Sequence, residues 1–343
     1  MPDVKNSIFL KNLRGEPCER TPIWVMRQAG RYLPEYQEVR KRYSFNEMCR
    51  TPEAACEVTL QPIRRFGFDA AIMFSDILTP LEAMGAPFDF SQGGPRLEQP
   101  VRTEARIDAL HTYEPLEGTG FVAAAIKLMK EGLGDTTPLI GFAGSPFTLA
   151  TYLIEGGGSK DYAVLKTMLY SRPELLQRLM DKLTDQTLAY LRMQVEAGVD
   201  AVQLFDTWGG ILHPADYAKV VLPCVKRIMD GLADTGVPRI YFLKGSAPYL
   251  DLVTTLDVEA LGMDWTMDMA RSLPLMEGFA VQGNLDPLAL FGTHDEIRRR
   301  ALEICEAGKR AKGHVFNLGH GITPPTPIAA VETLVETVQG FRR

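Results

Sequence analysis

The chain has 343 residues and a formal net charge of −6. Its 45% hydrophobic and 23% charged residues are typical of a globular protein with ample material for a core. An acidic chain is not expected to bind nucleic acid or an anionic membrane through its overall field. An anionic ligand would therefore have to be held by a local group of cations.

The sequence also indicates a compartment. The first residues lack the apolar core of a signal peptide, and no apolar run approaches the roughly 18 residues of a membrane helix. None of the five cysteines lies in a CxxC pair or beside a histidine at metal-ligand spacing. They are Cys18, Cys49, Cys56, Cys224 and Cys305. We expect a cytoplasmic protein with free thiols and no bound metal.

Short apolar runs that end in polar, glycine or proline residues predict eight strands. They are residues 23–26, 70–74, 139–143, 201–205, 240–243, 260–263, 280–282 and 314–318. Apolar residues at helical spacing lie between most of them, for example at 52–65, 173–196, 214–230 and 294–307. This alternation predicts an α/β fold, a (β/α)8 TIM barrel forming one domain over residues 1–343. An open doubly wound sheet is the alternative, but it usually has a glycine-rich turn after its first strand.

Cations cluster after the first predicted strand. Six lie between positions 27 and 50, beginning with Arg27 and Arg31. Arginine binds a carboxylate or phosphate through two parallel hydrogen bonds and stays charged. A solvated charged face is the alternative that composition alone favours. The barrel favours a site, because residues after the C-terminal strand ends face the active site. Those residues are Arg27, Arg31, Asp76, Ser145, Asp206, Thr207, Lys244, Asp264, Asn284 and His320.

Two of these residues each have two possible roles. Asp76 lies between apolar neighbours, so it either caps the next turn or is an ionised acceptor for N–H donors or a developing positive charge. His320 is flanked by glycines, which let the backbone approach a ligand closely. We expect it to donate a hydrogen bond to a bound anion, because its spacing from His314 does not fit a zinc helix.

The glycines at 156–158 lack the pattern of a phosphate-binding loop, which favours a mobile loop near the barrel mouth. Tyr152, in the segment before them, presents a hydroxyl there, although a lone tyrosine is more often part of a core. The sequence shows no Ser-His-Asp arrangement, nucleophile elbow, reactive cysteine or Schiff-base lysine motif. Chemistry would have to come from the substrate and from electrostatics.

Five segments carry a family resemblance. Residues 22–34 (PIWVMRQAGRYLP) and 141–148 (GFAGSPFT) resemble the two signature segments of the uroporphyrinogen decarboxylase family. Residues 74–78 (FSDIL), 203–207 (QLFDT) and 317–321 (NLGHG) resemble its other landmarks, in the same order. The resemblance covers nearly the whole chain.

The resemblance implies a homodimeric single-domain barrel that acts in haem biosynthesis. It would convert the four acetate side chains of uroporphyrinogen III to methyls, giving coproporphyrinogen III and four CO2, with no metal or organic cofactor. The residues that it implies in substrate binding are Arg27, Gln28, Ala29, Gly30, Arg31, Arg40, Asp76, Tyr152, Thr207 and His320. Asp76, Arg27 and Tyr152 would be catalytic.

The resemblance also implies individual roles. Arg27, Arg31 and Arg40 would pair with substrate carboxylates, and Ala29 would contribute a backbone contact. Asp76 would face the pyrrole N–H groups, while three hydroxyl or imidazole groups would bond substrate carboxylates or Asp76. These are Tyr152, Thr207 and His320. The position of Thr207 is Ser in some relatives, which keeps the hydroxyl. The proton donor stays open between an arginine and a water, because the high pKa of arginine makes it a reluctant acid.

Two other functions compete. Zinc-dependent methyltransferases of the same barrel superfamily need histidine and cysteine ligands, and no cysteine here has a histidine two positions away. A non-catalytic tetrapyrrole-binding protein would keep the arginines but would not need Asp76, which is present.

Overall fold

The computed structural model describes residues 3–90 and 93–343. Within these residues, seven parallel strands form one sheet and pair in chain order. The strands are β1 (Ala71–Ile72), β2 (Leu139–Gly144), β3 (Ala201–Asp206), β4 (Arg239–Leu243), β5 (Ala260–Gly262), β6 (Ala280–Gln282) and β7 (Gly313–Val315). Every residue of these strands is buried, as expected for a sheet covered on both faces. The fold is TIM-barrel-like.

Helices connect the strands and cover the outside of the sheet. The α-helices are Ile8–Arg14, Pro34–Arg42, Phe45–Arg50, Pro52–Phe66, Thr79–Ala83, Glu104–Ala109, Pro115–Leu133, Pro146–Glu155, Ala163–Ser171, Pro173–Ala197, Pro214–Asp216, Leu222–Asp230, Leu250–Val253, Met269–Ser272, His294–Gly308 and Ile328–Gly340. Three of the predicted helices are confirmed to within one residue, at Pro52–Phe66, Pro173–Ala197 and His294–Gly308. Within the described residues, no helix has the length and apolarity needed to cross a membrane.

The helix predicted at 214–230 is interrupted. A π-helical turn at Tyr217–Val221 separates Pro214–Asp216 from Leu222–Asp230. Pro223 has no N–H to donate and its ring excludes the carbonyl of the preceding turn, which accounts for the wider turn before it.

The first predicted strand, 23–26, is not a strand in the structure. The Phe316 N–H donates to the Pro22 carbonyl at 2.8 Å, and the Asp69 N–H donates to the Ile23 carbonyl at 2.8 Å. The Trp24 N–H donates to the Phe316 carbonyl at 3.3 Å. From Val25 onward side chains take the place of strand partners: the Val25 N–H donates to Gln28 Oε1 at 3.2 Å, and the Met26 N–H donates to Asn317 Oδ1 at 2.9 Å. The segment therefore lies between the residues after β7 and those before β1 without forming a regular ladder.

A buried polar chain crosses the interior between this segment and the sheet. Trp24 Nε1 donates to Gln282 Oε1 at 2.9 Å, and Gln282 Nε2 donates to Gln203 Oε1 at 3.1 Å. The three side chains are at most 3% exposed. Because unpaired amides are costly in an apolar interior, this chain fixes the position of residues 23–26 relative to β6 and β3.

Candidate functional site

The residues expected at the barrel mouth fall into two groups. Arg27 and Arg31 are exposed, and Asp76, Thr207, Lys244 and His320 are partly exposed. Ser145, Asp206, Asp264 and Asn284 are buried, at 5% exposure or less. The side chains of the first group are accessible to a ligand, whereas three of the second group hold loops through hydrogen bonds: Asp206, Asp264 and Asn284.

Asp206 is the centre of one such loop support. Its carboxylate accepts hydrogen bonds from Thr148 Oγ1 at 2.8 Å, from Tyr241 Oη at 3.0 Å and from the Gly209 N–H at 3.0 Å. Tyr217 Oη lies 2.8 Å from Tyr241 Oη and extends the network. Burial raises the pKa of Asp206, opposed by these hydrogen bonds. The network fixes the turn that carries residues 207 and 208.

Asp264 and Asn284 support the neighbouring loops. Asp264 accepts hydrogen bonds from the N–H groups of Gly245, Ser246 and Thr266. Asn284 Nδ2 donates to the Asp264 carbonyl at 2.9 Å and also to the Met267 carbonyl at 2.8 Å. The loops after β4, β5 and β6 are thus joined by buried side chains rather than by regular structure.

Asp76 follows β1 by four residues, and its carboxylate is partly buried. Oδ1 accepts the Leu78 N–H at 2.8 Å, so the capping reading is confirmed as one of its roles. Burial raises the pKa of Asp76, while this hydrogen bond and the charge of Arg27 oppose the rise. A narrow cleft beside Asp76 is also lined by Cys49, Phe88 and Phe90.

Arg27 has an unusual backbone. Its φ of 66° lies in the left-handed region, which costs a non-glycine residue about 1–3 kcal/mol. Its stem crosses Gly321, where a Cβ would lie 2.9 Å from both Cγ and Nε of Arg27. Asn317 secures the crossing, because its Oδ1 accepts the N–H groups of Met26 at 2.9 Å and Leu318 at 2.7 Å. The NLGHG and MRQAGR segments therefore pack directly against each other.

The rest of the first signature segment divides between packing and the surface. Gln28 is buried; its Oε1 accepts the Val25 N–H, and its Nε2 donates to the Ala70 carbonyl at 3.1 Å, so its side chain faces the fold. Ala29 and Gly30 are partly exposed. A Cβ at Gly30 would lie 3.0 Å from the Arg27 carbonyl, so a larger residue would press on the strained turn.

Arg31 and Arg40 both act on Tyr36. Burial raises the pKa of Tyr36, and the charges of Arg40 and Arg31 oppose that rise. Arg40 Nη1 donates to the Tyr43 carbonyl at 2.7 Å. Burial also raises the pKa of Cys49. The charge of Asp76 adds to this rise, and the charges of Arg50 and Arg40 oppose it. Arg40 and Asp76 are thus both close enough to Cys49 to affect its pKa.

Tyr152 lies in the aromatic wall of the site. Its ring contacts Phe88 at 6.5 Å and Trp208 at 6.3 Å, and Tyr162 packs on Trp208 at 5.2 Å. Burial raises the pKa of Tyr152, and the charge of Asp76 adds to the rise while that of Arg27 opposes it. Tyr152, Asp76 and Arg27 are thus within electrostatic reach of one another.

His320 is held neutral. Its ring lies 6.2 Å from that of Phe242 and 6.1 Å from that of Trp265. Burial lowers its pKa to about 4, helped by the charges of Arg27 and Lys244 and opposed by Asp264. A neutral imidazole can both donate and accept a hydrogen bond, which suits contact with a carboxylate.

This pKa predicts a pH dependence of stability. The folded-state pKa of about 4 lies below the ordinary 6.5, so the unfolded state binds more protons between these values. The free energy of unfolding should fall as pH drops through this window, by up to about 1.4 kcal/mol per pH unit for one imidazole. We expect His320→Gln to reduce the slope between pH 6.5 and 4.5, measured by urea unfolding. Identical slopes in both proteins would contradict the assignment.

Several cations at the mouth lack an anionic partner. Among residues 3–90 and 93–343, no carboxylate oxygen lies within 4.0 Å of a side-chain nitrogen of Arg27, Arg31, Arg40 or Lys244. Several arginines elsewhere are paired with carboxylates, such as Arg65 with Glu35 at 2.6 Å. Because uncompensated cations repel one another, this arrangement favours a ligand with several negative charges.

The family model of uroporphyrinogen decarboxylase (URO-D) matches residues 4–341. The chain belongs to the uroporphyrinogen decarboxylase family. A protein named uroporphyrinogen decarboxylase from Syntrophotalea carbinolica is 49% identical to it over 96% of both chains. One of the same name from Myxococcus xanthus is 49% identical over 97% of this chain and 96% of its own. The resemblance carried by the five segments is confirmed.

Solved structures of lower identity share the fold. A methyltransferase from Methanosarcina mazei is 21% identical and superimposes with a TM-score of 0.84 over 99% of both chains. A B12-independent methionine synthase from a Shewanella species is 12% identical, with a TM-score of 0.58 over 84% of this chain and 85% of its own. At these identities the likeness shows the TIM-barrel-like fold alone. In the described part of this chain, no three His, Cys, Asp or Glu side chains are grouped as metal ligands.

The structure adds residues that the motifs did not single out. Trp208 and Trp265 are two of the three tryptophans in the chain; Trp208 lies two residues after Asp206, and Trp265 directly follows Asp264. Lys244 Nζ lies 5.4 Å from the ring centroid of Trp208 and 5.6 Å from that of Trp265. A tryptophan two or three residues past a barrel strand is the sequence signal that could have found this wall.

Proposed function

We propose that this chain is a carboxy-lyase that converts the four acetate side chains of uroporphyrinogen III to methyl groups, releasing four CO2 and coproporphyrinogen III in haem biosynthesis. The family assignment supports the reaction. One observation of the site carries the proposal: the partly buried carboxylate of Asp76 feels the charge of Arg27, and within the described residues Arg27, Arg31 and Arg40 have no carboxylate partner. Uroporphyrinogen brings eight carboxylates and a set of pyrrole N–H donors, which match these two features.

The substrate supplies the electron sink in this reaction. Protonation of a pyrrole carbon makes the ring a cation, and the neighbouring acetate then loses CO2 as its bonding electrons move into the ring. The resulting exocyclic carbon takes up a proton and the ring carbon gives its proton back, so one proton replaces each CO2. A decarboxylase of another kind would take this sink from a cofactor; none is needed here.

The site residues divide this work. Arg27, Arg31 and Arg40 hold substrate carboxylates, with Thr207 and the neutral His320 as hydrogen-bonding partners and residues 28–30 contributing backbone contacts. Asp76 accepts the pyrrole N–H groups and stabilises the transient cation, and Tyr152 orients the carboxylates beside it. A preorganised charge of this kind is worth roughly 3 kcal/mol or more at the transition state. The proton comes from an arginine or from a water.

We also propose that residues 23–26 complete a closed (β/α)8 barrel that forms one domain over residues 1–343. The hydrogen bonds of this segment to Asp69 and Phe316 support this, together with the interior chain from Trp24 to Gln203. The family resemblance further supports a cytoplasmic homodimer that binds neither nucleic acid nor membrane. Sedimentation of the purified protein tests the dimer.

Turnover of uroporphyrinogen tests the function. Purified protein and uroporphyrinogen III, kept reduced without oxygen, should yield four CO2 and one coproporphyrinogen per substrate. Tight binding without CO2 would favour the non-catalytic tetrapyrrole-binding protein. Stoichiometric zinc with methyl transfer to a thiol would favour the methyltransferase.

A further inference from the structure

We infer that Lys244 is a second carboxylate anchor, placed by Trp208 and Trp265 on the wall formed by the loops after β3, β4 and β5. The inference rests on the proposed function, because it assigns Lys244 a part in binding the same polyanionic substrate. Lys244 directly follows β4, and its side chain is partly exposed at the mouth.

Two indole rings hold the ammonium group. Nζ lies 5.4 Å from the Trp208 ring and 5.6 Å from the Trp265 ring, both within the range of a cation–π contact. Such contacts fix the position of a cation without neutralising it. Within the described residues no carboxylate pairs with this ammonium, so its hydrogen bonds remain available to a ligand.

The backbone on each side of Lys244 is fixed. Its N–H donates to the Asp206 carbonyl at 3.1 Å, and the next two N–H groups donate to the buried Asp264 carboxylate. A Cβ on Gly210 would strike the Lys244 carbonyl, so the loop after β3 packs directly against it. A surface lysine with a free side chain would not need this support, whereas an anchor does.

Lys244 also interacts electrostatically with residues of the family motifs. Together with Arg27 it lowers the pKa of His320, which places both cations around one neutral imidazole. A macrocycle with eight carboxylates held only at the arginine segment would leave its far side groups unbound. Lys244 supplies a positive group for carboxylates on the other wall.

Lys244→Met tests this anchor, because methionine keeps the apolar stem and removes the charge. We expect KM for uroporphyrinogen to rise about 10- to 100-fold, since a charge-assisted hydrogen bond is lost, while kcat changes little. The increase of KM with salt should be weaker than in the wild type. Lys244→Arg keeps the charge beside both rings and should recover most of the lost affinity.

Lys309→Met is the matched control. Lys309 also lies over an aromatic ring, 4.7 Å from the centroid of Phe341, but it pairs with Glu306 at 2.9 Å and follows the helix His294–Gly308. Its KM should equal that of the wild type. An unchanged KM in Lys244→Met, or a fall in kcat alone, would overturn the inference.

A binding measurement separates the inference from the proposed function. Quenching of tryptophan fluorescence by uroporphyrinogen reports affinity even without turnover. If the wild type releases no CO2, the proposed function fails; weaker quenching of Lys244→Met than of Lys309→Met would then still support the anchor. Equal affinities would overturn it.

Discussion

Replacement of Asp76 by asparagine is expected to lower kcat for CO2 release at least about 100-fold, which corresponds to roughly 3 kcal/mol of lost transition-state stabilisation. Asparagine keeps the shape of the side chain and an oxygen that can accept the Leu78 N–H, so the local turn should persist. What disappears is the negative charge that faces the developing pyrrole cation. Single-turnover measurement of CO2 gives the effect on chemistry.

Although Asp76→Asn should lose activity, its stability should not fall. Burial raises the folded-state pKa of Asp76, so its contribution to stability is present below the ordinary value of 3.8 and is lost as pH rises through the folded-state pKa. Near neutral pH the buried charge of Asp76 therefore destabilises the folded state. We expect Asp76→Asn to keep or raise the Tm. Parallel losses of Tm and activity would make Asp76 a structural residue.

Asp286→Asn is a matched control for the capping role. Asp286 Oδ1 accepts the Leu288 N–H at 2.9 Å, with the same spacing of two residues as in the pair of Asp76 and Leu78. Asp286 lies outside the group of residues that we assign to the substrate. If Asp286→Asn lowered kcat as much as Asp76→Asn, the effect would belong to the cap and not to the charge.

Much of the fold was readable because the signals are local. The helix at Pro173–Ala197 begins with proline in its first turn, ends before Gly198 and shows helical apolar spacing between them. Strands β2 to β4 are mainly apolar and fully buried, as is typical of a sheet covered on both faces. The strand expected at 23–26 is reduced to a parallel bridge between Ile23 and Phe316, because its pairing is decided by distant partners. Asn317 and Gln28 occupy backbone groups that a ladder would use.

The site was predicted less completely, for a related reason. Position after a strand identified Asp76, Arg27 and His320, but it could not separate residues that face a ligand from those that hold a loop. Asp206 and Asp264 have the same strand-end position, and both are fully buried acceptors of hydrogen bonds. Burial depends on which loops cover a strand end, and local sequence does not contain that information.

Gly319→Ala is expected to remove most activity and to destabilise the fold. A Cβ at Gly319 would lie 2.7 Å from Cα of Trp265 and 2.8 Å from the carbonyl carbon of Asp264. These are backbone atoms, and the Asp264 carbonyl is also held by Asn284. The strain therefore has to move His320, Trp265 or both. We expect kcat/KM to fall about 100-fold, as for displaced catalytic groups, and the free energy of unfolding to fall by about 1–3 kcal/mol.

Substitutions at two other glycines separate the effect on the reaction from the effect on stability. At Gly321 the three atoms nearest to an added Cβ all belong to the Arg27 side chain, which is exposed and can move away, so Gly321→Ala should raise KM and leave the Tm nearly unchanged. Gly120, in the helix Pro115–Leu133, has nothing within 4 Å of an added Cβ. Gly120→Ala should be neutral, or stabilising by about 0.5–1 kcal/mol. Steady-state kinetics and urea unfolding of the three variants check this order. A Gly319→Ala protein with normal kcat/KM would show that the His320 loop tolerates displacement, and that the tight packing of residues 264, 265 and 319 does not serve the reaction.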